Sequence, residues 1–174
     1  MTLRQILTEP NPILRNKSLR DEKVDSNIQE LMDDMLETMY AAPGIGLASI
    51  QVGVPKRVIV IDIDQKDGQK NPMFFINPEI IEKSKNNSTY EEGCLSVPGQ
   101  FAEIDRPDKC HVKYLDYHGE KKEIKAEGML STCIQHEMDH LEGILFIDYL
   151  SKLKKTLIMK KLSKEKKVLE RIVV

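Results

Sequence analysis

The stretch Gln135-His136-Glu137-Met138-Asp139-His140 contains the pattern H-E-x-x-H, two histidines four positions apart with a glutamate directly after the first. On a helix, residues with this spacing lie on one face, so His136 and His140 can bind the same metal ion. Glu137 is rotated by roughly 100° around the helix axis, so it can act on a water molecule beside the metal without being a ligand. The pattern predicts a metal-binding helix over about residues 129–142, at the centre of the fold.

The elements around this helix are mostly strands joined by local turns. Apolar residues at helical spacing predict one earlier helix, from Ser26 to about Ala41. The β-branched run over residues 57–63 predicts a strand, and residues 109–117 are expected to form a hairpin with residues 122–126. Because the strands do not alternate with helices, the sequence predicts an α+β domain. We expect mostly antiparallel β-sheets packed around the central metal-binding helix, with a C-terminal helix.

Proline and glycine are expected to interrupt two further segments. Pro78 is predicted to end a strand over residues 73–77, with a separate short strand over residues 79–83. Residues 90–99, with the sequence YEEGCLSVPG, are bounded by glycine and proline and are expected to form a structured loop. Gly44 and Gly46 follow the first helix, where small residues favour a tight loop with close packing.

The composition is typical of one soluble globular domain, since 40% of the 174 residues are hydrophobic and 31% are charged. No run approaches the ~18 apolar residues of a membrane span, and the first residues do not have the pattern of a secretory signal or transit peptide. Three cysteines without a C-x-x-C pair argue against a disulfide framework. We therefore expect a cytoplasmic protein that does not associate with membranes.

Charge is distributed unevenly along the chain. Residues 151–174 contain nine basic and two acidic residues, which gives a net charge of +7. Because the whole chain has a net charge of −2, residues 1–150 have a net charge of −9. We expect residues 1–150 to form the catalytic domain and residues 151–174 to form a basic amphipathic helix packed on it. The apolar stripe of this helix is expected to consist of Leu153, Leu157, Ile158, Leu162, Val168, Leu169 and Ile172.

A catalytic metal site needs a third protein ligand and one open position. Neither Gly143 nor Phe146 can supply a third histidine at the spacing used by one large class of zinc peptidases. Cys94 is the sharper candidate, because it lies in a glycine-bounded segment where a thiolate can approach a metal, although a lone cysteine is more often a small buried residue. The acidic alternatives further along the chain are Glu142, Asp148 and Glu165.

Three stretches together resemble the signature motifs of the bacterial type of the peptide deformylase family. They are Gly44-Ile45-Gly46-Leu47-Ala48-Ser49-Ile50-Gln51, Glu92-Gly93-Cys94-Leu95-Ser96 and Gln135-His136-Glu137-Met138-Asp139-His140, in that order. The resemblance covers nearly the whole chain, and three motifs in sequence are far more specific than one. Ser49 stands where the family usually has alanine, and we expect this hydroxyl to affect only local packing.

The resemblance implies a metal-dependent hydrolase that removes the formyl group from the N-terminal formyl-methionine of nascent polypeptides and releases formate. Its implied metal is Fe²⁺, with Zn²⁺, Ni²⁺ or Co²⁺ also able to occupy the site. The implied ligands are Cys94, His136 and His140. Glu137 is implied to be the general base and acid, and Gln51 and the backbone N–H of Leu95 to face the developing oxyanion.

Substrate selectivity is expected to come from an apolar slot for the methionine side chain. Helical spacing places Met129, Thr132 and Cys133 on the same face as His136. The full set of expected substrate-binding residues is Ile45, Gly46, Gly93, Met129 and Cys133, with Thr132 beside them. Glu92 and Asp139 are expected to support the site, and Arg106 to anchor substrate backbone or a loop.

Two other functions are compatible with parts of this pattern. One is a zinc endopeptidase that combines H-E-x-x-H with a distant acidic ligand, and the other is a non-enzymatic metal-binding or RNA-binding module. The resemblance implies N-formyl-methionyl nascent peptides as substrates. It also implies contact between the basic C-terminal helix and the ribosome near the exit of the nascent chain. We expect a monomer.

Overall fold

The helix that carries the two histidines and two antiparallel sheets dominate the fold. A computed structural model describes residues 2–173, with side chains through residue 168. The elements are α1 Ser26–Ala41, β1 Gly46–Ala48, β2 Val58–Ile61, β3 Met73–Lys83, β4 Asn87–Cys94, β5 Val97–Pro107, β6 Lys109–Leu115, β7 Lys121–Glu127, α2 Gly128–Leu141 and α3 Lys152–Val173. The strand order is β1-β2-β3-β6-β7 in the larger sheet and β4-β5 in the smaller one.

The larger sheet is covered by one helix on each face. In β2, Ile59 and Ile61 pack towards α2, whereas Val58 and Val60 pack towards the methionines of α1. Because successive side chains of a strand point to opposite faces, a strand buried on both faces is apolar throughout. All strand pairs are antiparallel. The predicted α+β class, with antiparallel sheets around the metal-binding helix, is therefore confirmed.

Strand β3 continues through Pro78, so the prediction of two separate strands was wrong. Its register against β6 shifts between Ile76 and Glu79, and Asn77 adopts a left-handed conformation with φ 50°. A bulge accommodates proline because the missing N–H falls where the ladder is already interrupted. The Asn77 side chain accepts a hydrogen bond from the backbone N of Asp21 and donates one to its carbonyl.

The segment around Cys94 is a β-hairpin, which corrects the expectation of a structured loop over residues 90–99. Cys94 is the last residue of β4, and its partner Val97 is the first residue of β5. Gly93 pairs with Phe101, whose ring would lie 2.5 Å from any Cβ at that glycine. Gly93 and Pro98 conceal the strand pattern in the sequence, although proline is tolerated in a two-stranded sheet because both strands are edges.

The end of α2 is fixed by contact with the N-terminal segment. Gly143, directly after the helix cap, has φ 74°, and a Cβ there would lie 2.3 Å from the carbonyl oxygen of Arg15. Ser18 donates a backbone hydrogen bond to the carbonyl of Leu141. A glycine is required here by both the conformation and the close approach, and together these contacts hold the helix that carries the two histidines.

Helix α3 contacts the body through a narrower set of residues than the sequence predicted. Leu162 is buried in a cluster with Val97, Ile104 and Phe146, and Ile158 is partly buried beside it. Three members of the expected apolar stripe are exposed instead, namely Leu153, Leu157 and Val168, and the side chains of Leu169 and Ile172 lie outside the described residues. Among the described helices, none is long and apolar enough to cross a membrane.

Candidate metal centre

Three ligand groups from two distant parts of the chain meet at one point. His136 and His140 project from one face of α2, and Cys94 reaches them from the end of β4. Their ligand atoms all lie within 4.8 Å of one another, and the Cys94 sulfur is 3.4 Å from Nε2 of His140. Both histidines are buried. One cysteine sulfur and two imidazoles that converge in this way are a donor set that fits a divalent transition metal.

The acidic alternatives for the third ligand are engaged elsewhere. Glu142 binds Arg57, with 2.8 Å between the carboxylate and the guanidinium. Asp148 accepts from Lys155 at 2.6 Å and is also paired with Arg15, and Glu165 is exposed on α3. In the described part of the chain, Cys94 is the side chain that completes the ligand set.

Glu92 fixes the orientation of His136. Nδ1 of His136 lies 2.8 Å from Oε1 of Glu92, and because a carboxylate can only accept, Nδ1 donates to it and Nε2 is the nitrogen left for a metal. Burial alone would raise the pKa of Glu92, but its hydrogen bonds to His136 and Arg106 outweigh that effect and lower it. Glu92 is therefore a carboxylate that orients the His136 ring.

Arg106 lies behind this carboxylate and does not line the main cavity. Its Nε and Nη2 donate to the two oxygens of Glu92 at 2.7 and 3.0 Å. Its Nη1 donates to Asp139 at 2.9 Å. The expectation was that Arg106 anchors substrate backbone or a loop; the structure places it outside this cavity, in contact with Glu92 and Asp139.

Glu137 is a buried carboxyl group beside the ligands. Its Oε1 is 3.9 Å from Nε2 of His136, and its Oε2 has no hydrogen-bond partner among the described residues. Burial, as the largest cause, raises the pKa of Glu137 to about 7. An unpaired carboxyl held near the metal ligands is costly to bury, which indicates that its position serves chemistry.

Gly46 forms the wall against which Glu137 packs. A Cβ at this position would lie 2.7 Å from Oε1 of Glu137 and 3.1 Å from the sulfur of Cys133. We expect Gly46→Ala to displace the carboxyl group and lower kcat by ~10–100-fold, because a misplacement of about 1 Å has an effect of this order. Steady-state kinetics, metal content and thermal unfolding of the purified variant check this, and the last two are expected to stay near wild type.

The two contacts of that methyl group can be separated. Cys133→Ala removes the sulfur contact, so a Gly46→Ala/Cys133→Ala double variant still presses on Glu137 but not on residue 133. We expect the double variant to remain as slow as Gly46→Ala, with Cys133→Ala alone as the control. Restoration of the wild-type rate in the double variant would show that Cys133, rather than Glu137, transmits the effect.

Gln51 and Leu95 both lie next to Cys94. The amide nitrogen of Gln51 is 3.0 Å from Oγ of Ser96 and 3.5 Å from the Cys94 sulfur, while its oxygen accepts from the backbone N of Ala48. Leu95 occupies the turn between β4 and β5, outside their ladder. The amide of Gln51 and the backbone of Leu95 are thus brought to the ligand that comes from the hairpin.

A cavity of about 560 Å³ opens onto these groups. Two apolar side chains at its rim are substantially exposed, Ile45 at 44% and Met129 at 41%. Its lining includes all the residues expected to bind substrate, namely Ile45, Gly46, Gly93, Met129, Thr132 and Cys133, together with Gln51, Cys94, Leu95, His136 and Glu137. The cavity therefore combines an apolar wall with two of the three metal ligands, Cys94 and His136.

Two residues near the centre were missed by sequence reasoning. Ser96 is fully buried and holds the Gln51 amide, and its place two residues after Cys94 in the second motif was the available signal. Phe101 is 64% exposed at the cavity, and its pairing with Gly93 could not be seen without the hairpin. Ser49, the residue that departs from the family pattern, is buried and donates to the carbonyl of Lys56.

Comparison with known proteins agrees with this geometry. The peptide deformylase of Pelagibacter ubique is 64% identical over 166 residues, which are 95% of this chain and 96% of that protein. A crystal structure of peptide deformylase from Ehrlichia chaffeensis superposes with a TM-score of 0.91 at 43% identity, covering 96% of this chain and 98% of the other. A second structure from that organism, in complex with actinonin, gives 0.90 at 45% identity, with 95% and 98% covered.

The sequence model described as Polypeptide deformylase matches residues 3–156. This range includes all three motif stretches and therefore Gln51, Cys94 and both histidines of α2. The similarity thus extends over the elements that build the metal centre and over the cavity beside it. The chain belongs to the polypeptide deformylase family.

Proposed function

We propose that the centre formed by Cys94, His136 and His140 is where this chain carries out its deformylation. As a member of the family, the chain is a metallohydrolase that removes the formyl group from the N-terminal formyl-methionine of nascent polypeptides and releases formate. The observation that carries the assignment of the centre is the convergence of the three ligand atoms within 4.8 Å of one another, beside the cavity that Cys94 and His136 line.

Proton transfer is assigned to Glu137. Cys94, His136 and His140 would hold a divalent cation, which would supply Lewis acidity and lower the pKa of water towards neutrality. Glu137, buried beside His136 and not paired with a lysine or arginine among the described residues, accepts a proton from the water that attacks the formyl carbon. It then delivers a proton to the amine nitrogen as the carbon–nitrogen bond breaks. The products are formate and a polypeptide with a free N-terminus.

Stabilisation of the developing negative charge on the formyl oxygen is assigned to Gln51 and Leu95. The Gln51 amide is held by Ser96 at 3.0 Å and lies next to the Cys94 sulfur. The backbone N–H of Leu95 belongs to the turn beside that ligand. Donors fixed in advance need no reorganisation during the reaction, and the loss of one such donor typically costs ~2.7–4 kcal/mol of barrier.

Binding of the peptide is assigned to the apolar cavity and the edge of β1. Met129 and Cys133 are on the wall towards α2, and Ile45 is at the rim. Gly46 lies in β1, the edge strand of the larger sheet, and Gly93 lies in β4 on the hairpin side of the cavity. An extended peptide can pair with a sheet edge through its backbone, while an apolar slot receives its methionine side chain.

Formate release from a formyl-methionyl peptide tests this assignment directly. The purified protein, prepared without oxygen and with its metal content measured, is expected to release one formate for each free amine formed. A matched peptide with an acetyl group in place of formyl serves as the control, and its extra methyl group is expected to slow the reaction at the crowded centre. A protein with a filled metal site that releases no formate would refute the proposal.

The metal is proposed to be Fe²⁺, as the family resemblance implies. Support from the site itself extends to a divalent metal with thiolate and imidazole ligands, which Zn²⁺, Ni²⁺ and Co²⁺ also satisfy. Anaerobic purification followed by elemental analysis checks the identity of the metal. Reconstitution of the metal-free protein with each of the four ions then shows which of them supports formate release.

The C-terminal helix is proposed to contact ribosomal RNA, with the protein acting as a cytoplasmic monomer and residues 1–150 forming its catalytic domain. Support comes from the exposed lysines of α3, which include Lys160, Lys164 and Lys167. Because phosphate contacts release counterions, binding to purified ribosomes should weaken steeply with salt. Changing these three lysines to glutamine is expected to weaken binding. The same change at Lys85, Lys121 and Lys122 on the body is the charge-matched control, and equal effects of both sets would refute the proposal.

A further inference from the structure

A continuous line of charged contacts leads from His136 to the protein surface behind α2. His136 contacts Glu92, Glu92 is held by both Nε and Nη2 of Arg106, and Arg106 contacts Asp139. The line ends at Tyr149, whose hydroxyl donates to Oδ2 of Asp139 at 2.7 Å. That same oxygen accepts from Arg106 at 2.9 Å, so one carboxylate oxygen joins the tyrosine to the guanidinium.

Tyr149 contacts Arg106 in a second way. The guanidinium carbon lies 5.0 Å from the centre of the Tyr149 ring, within the range of a cation–π interaction. The ring therefore covers the outer side of Arg106, while the hydroxyl fixes the carboxylate beside it. Partial loss of solvent around the hydroxyl, followed by the hydrogen bond to Asp139, raises the pKa of Tyr149 to about 12 although the ring is half exposed, so the hydroxyl remains a donor at physiological pH.

Tyr149 lies outside the cavity that is proposed to bind substrate. Tyr149, Asp139 and Arg106 line a smaller cavity of about 300 Å³ on another face of α2, and none of them lines the cavity that contains the metal ligands. Tyr149 is 53% exposed, so its ring contributes little to the apolar core. Its contacts on the protein side converge on Arg106 and Asp139 instead.

From these contacts we infer that Tyr149 is a positioning residue of the metal centre: it holds Arg106, which holds Glu92, which orients His136. A carboxylate beside a ligand histidine fixes the ring and its protonation. In this chain Arg106 in turn binds that carboxylate. Arg106 is held by Tyr149, a residue of the segment that connects α2 to α3. The inference rests on the proposed metal centre and adds an outer residue that controls its geometry.

Two substitutions separate the contributions of the ring and the hydroxyl. Tyr149→Leu removes both and is expected to lower metal affinity by ~10–100-fold, whereas Tyr149→Phe keeps the ring and is expected to lower it by less than ~10-fold. Affinity is measured by competition with a chelator. In the Co²⁺-substituted protein, the visible absorption bands are expected to shift in the same order, because they report the geometry of the ligands.

Kinetics provide the second measurement. Tyr149 does not line the main cavity. We therefore expect kcat for a formyl-methionyl peptide to fall more in Tyr149→Leu than in Tyr149→Phe, while KM stays unchanged in both. Tyr117→Phe is the matched control. It also removes a tyrosine hydroxyl that donates to an aspartate, Asp33, at 3.2 Å, but that pair lies away from the metal ligands. Thermal unfolding of the metal-free variants shows whether either change affects the fold itself.

The outcomes distinguish this inference from the proposed function. Wild-type protein that retains no divalent metal and releases no formate would overturn both. If the wild type retains metal and Tyr149→Leu matches it in chelator competition, Co²⁺ spectrum and kcat, the inference alone is overturned. Weaker retention and shifted bands in Tyr149→Leu, with an intermediate Tyr149→Phe and an unaffected Tyr117→Phe, would support it. Should Tyr149→Leu fail to fold, Tyr149→Phe decides by the same two measurements.

Discussion

Replacing Glu137 with glutamine is expected to lower kcat/KM for a formyl-methionyl peptide by ~10²–10⁴-fold, the usual contribution of a general acid–base group. Glutamine keeps the size of the side chain but cannot take up or release the proton. Because Glu137 is outside the ligand set and Cys94, His136 and His140 are untouched, metal content is expected to stay at the wild-type level. Formate release and elemental analysis on the same preparation measure both quantities.

The stability of the Glu137→Gln variant is expected to rise or to stay unchanged. Glu137 is 4% exposed, and its Oε2 has no hydrogen-bond partner among the described residues, so a neutral amide relieves the cost of burying a charge. We expect the melting temperature of Glu137→Gln to equal or exceed that of the wild type. Glu142→Gln, at the end of the same helix and paired with Arg57, is the control and should leave the rate unchanged. A Glu137→Gln enzyme with wild-type rates, or one that has lost its metal, would contradict the assigned role.

Replacing Cys94 with serine is expected to abolish both metal binding and activity. A serine hydroxyl stays protonated at neutral pH and is a poor substitute for a thiolate among N and S ligands. The change removes a ligand outright, so we expect a loss of metal affinity of more than ~100-fold, the upper range for changes that touch the ligands only indirectly. In Co²⁺-substituted protein, the charge-transfer absorption from thiolate to metal is expected to disappear.

This substitution also separates a deformylase centre from an endopeptidase centre. An H-E-x-x-H enzyme that uses a distant acidic ligand would retain its metal and its activity in Cys94→Ser. Cys110→Ala is the control for loss of a cysteine, since Cys110 is buried in the core between β6 and α2, outside the ligand cluster. Wild-type metal content in Cys94→Ser would refute the ligand assignment, whatever its activity.

The features that could be predicted from the sequence are those encoded over short distances. Helix α1 has the predicted bounds Ser26–Ala41, and the side chain of Asp25 caps it by accepting from the backbone N of Ile28. Helical periodicity, a capping residue and a stop at Pro43 are all local signals. The spacing of His136 and His140 is equally local, because four residues on a helix suffice to bring them to one metal.

The features that could not be predicted depend on pairing between distant residues. Gly93 and Pro98 have no strand signal of their own, and the hairpin exists because β4 and β5 satisfy each other along its length. Tyr149 and Arg106 are separated by 43 positions, and no periodicity connects an aromatic residue after α2 to a guanidinium in β5. The bulge at Asn77 likewise depends on a partner, Asp21, from the N-terminal segment. The catalytic and substrate-binding roles remain predictions.

The short strand β1 has a consequence for the behaviour of the protein in concentrated solution. Any sheet edge with unpaired backbone groups can recruit a strand from another molecule, and long flat edges promote aggregation for this reason. Here the edge is three residues long, Gly46–Ala48, and Gly46 is set into the wall of a cavity. A single extended chain can enter such a recess, but a folded sheet cannot. This one edge is thus too short and too recessed to act as a template for a folded neighbour, and the proposed function assigns it to a single extended peptide.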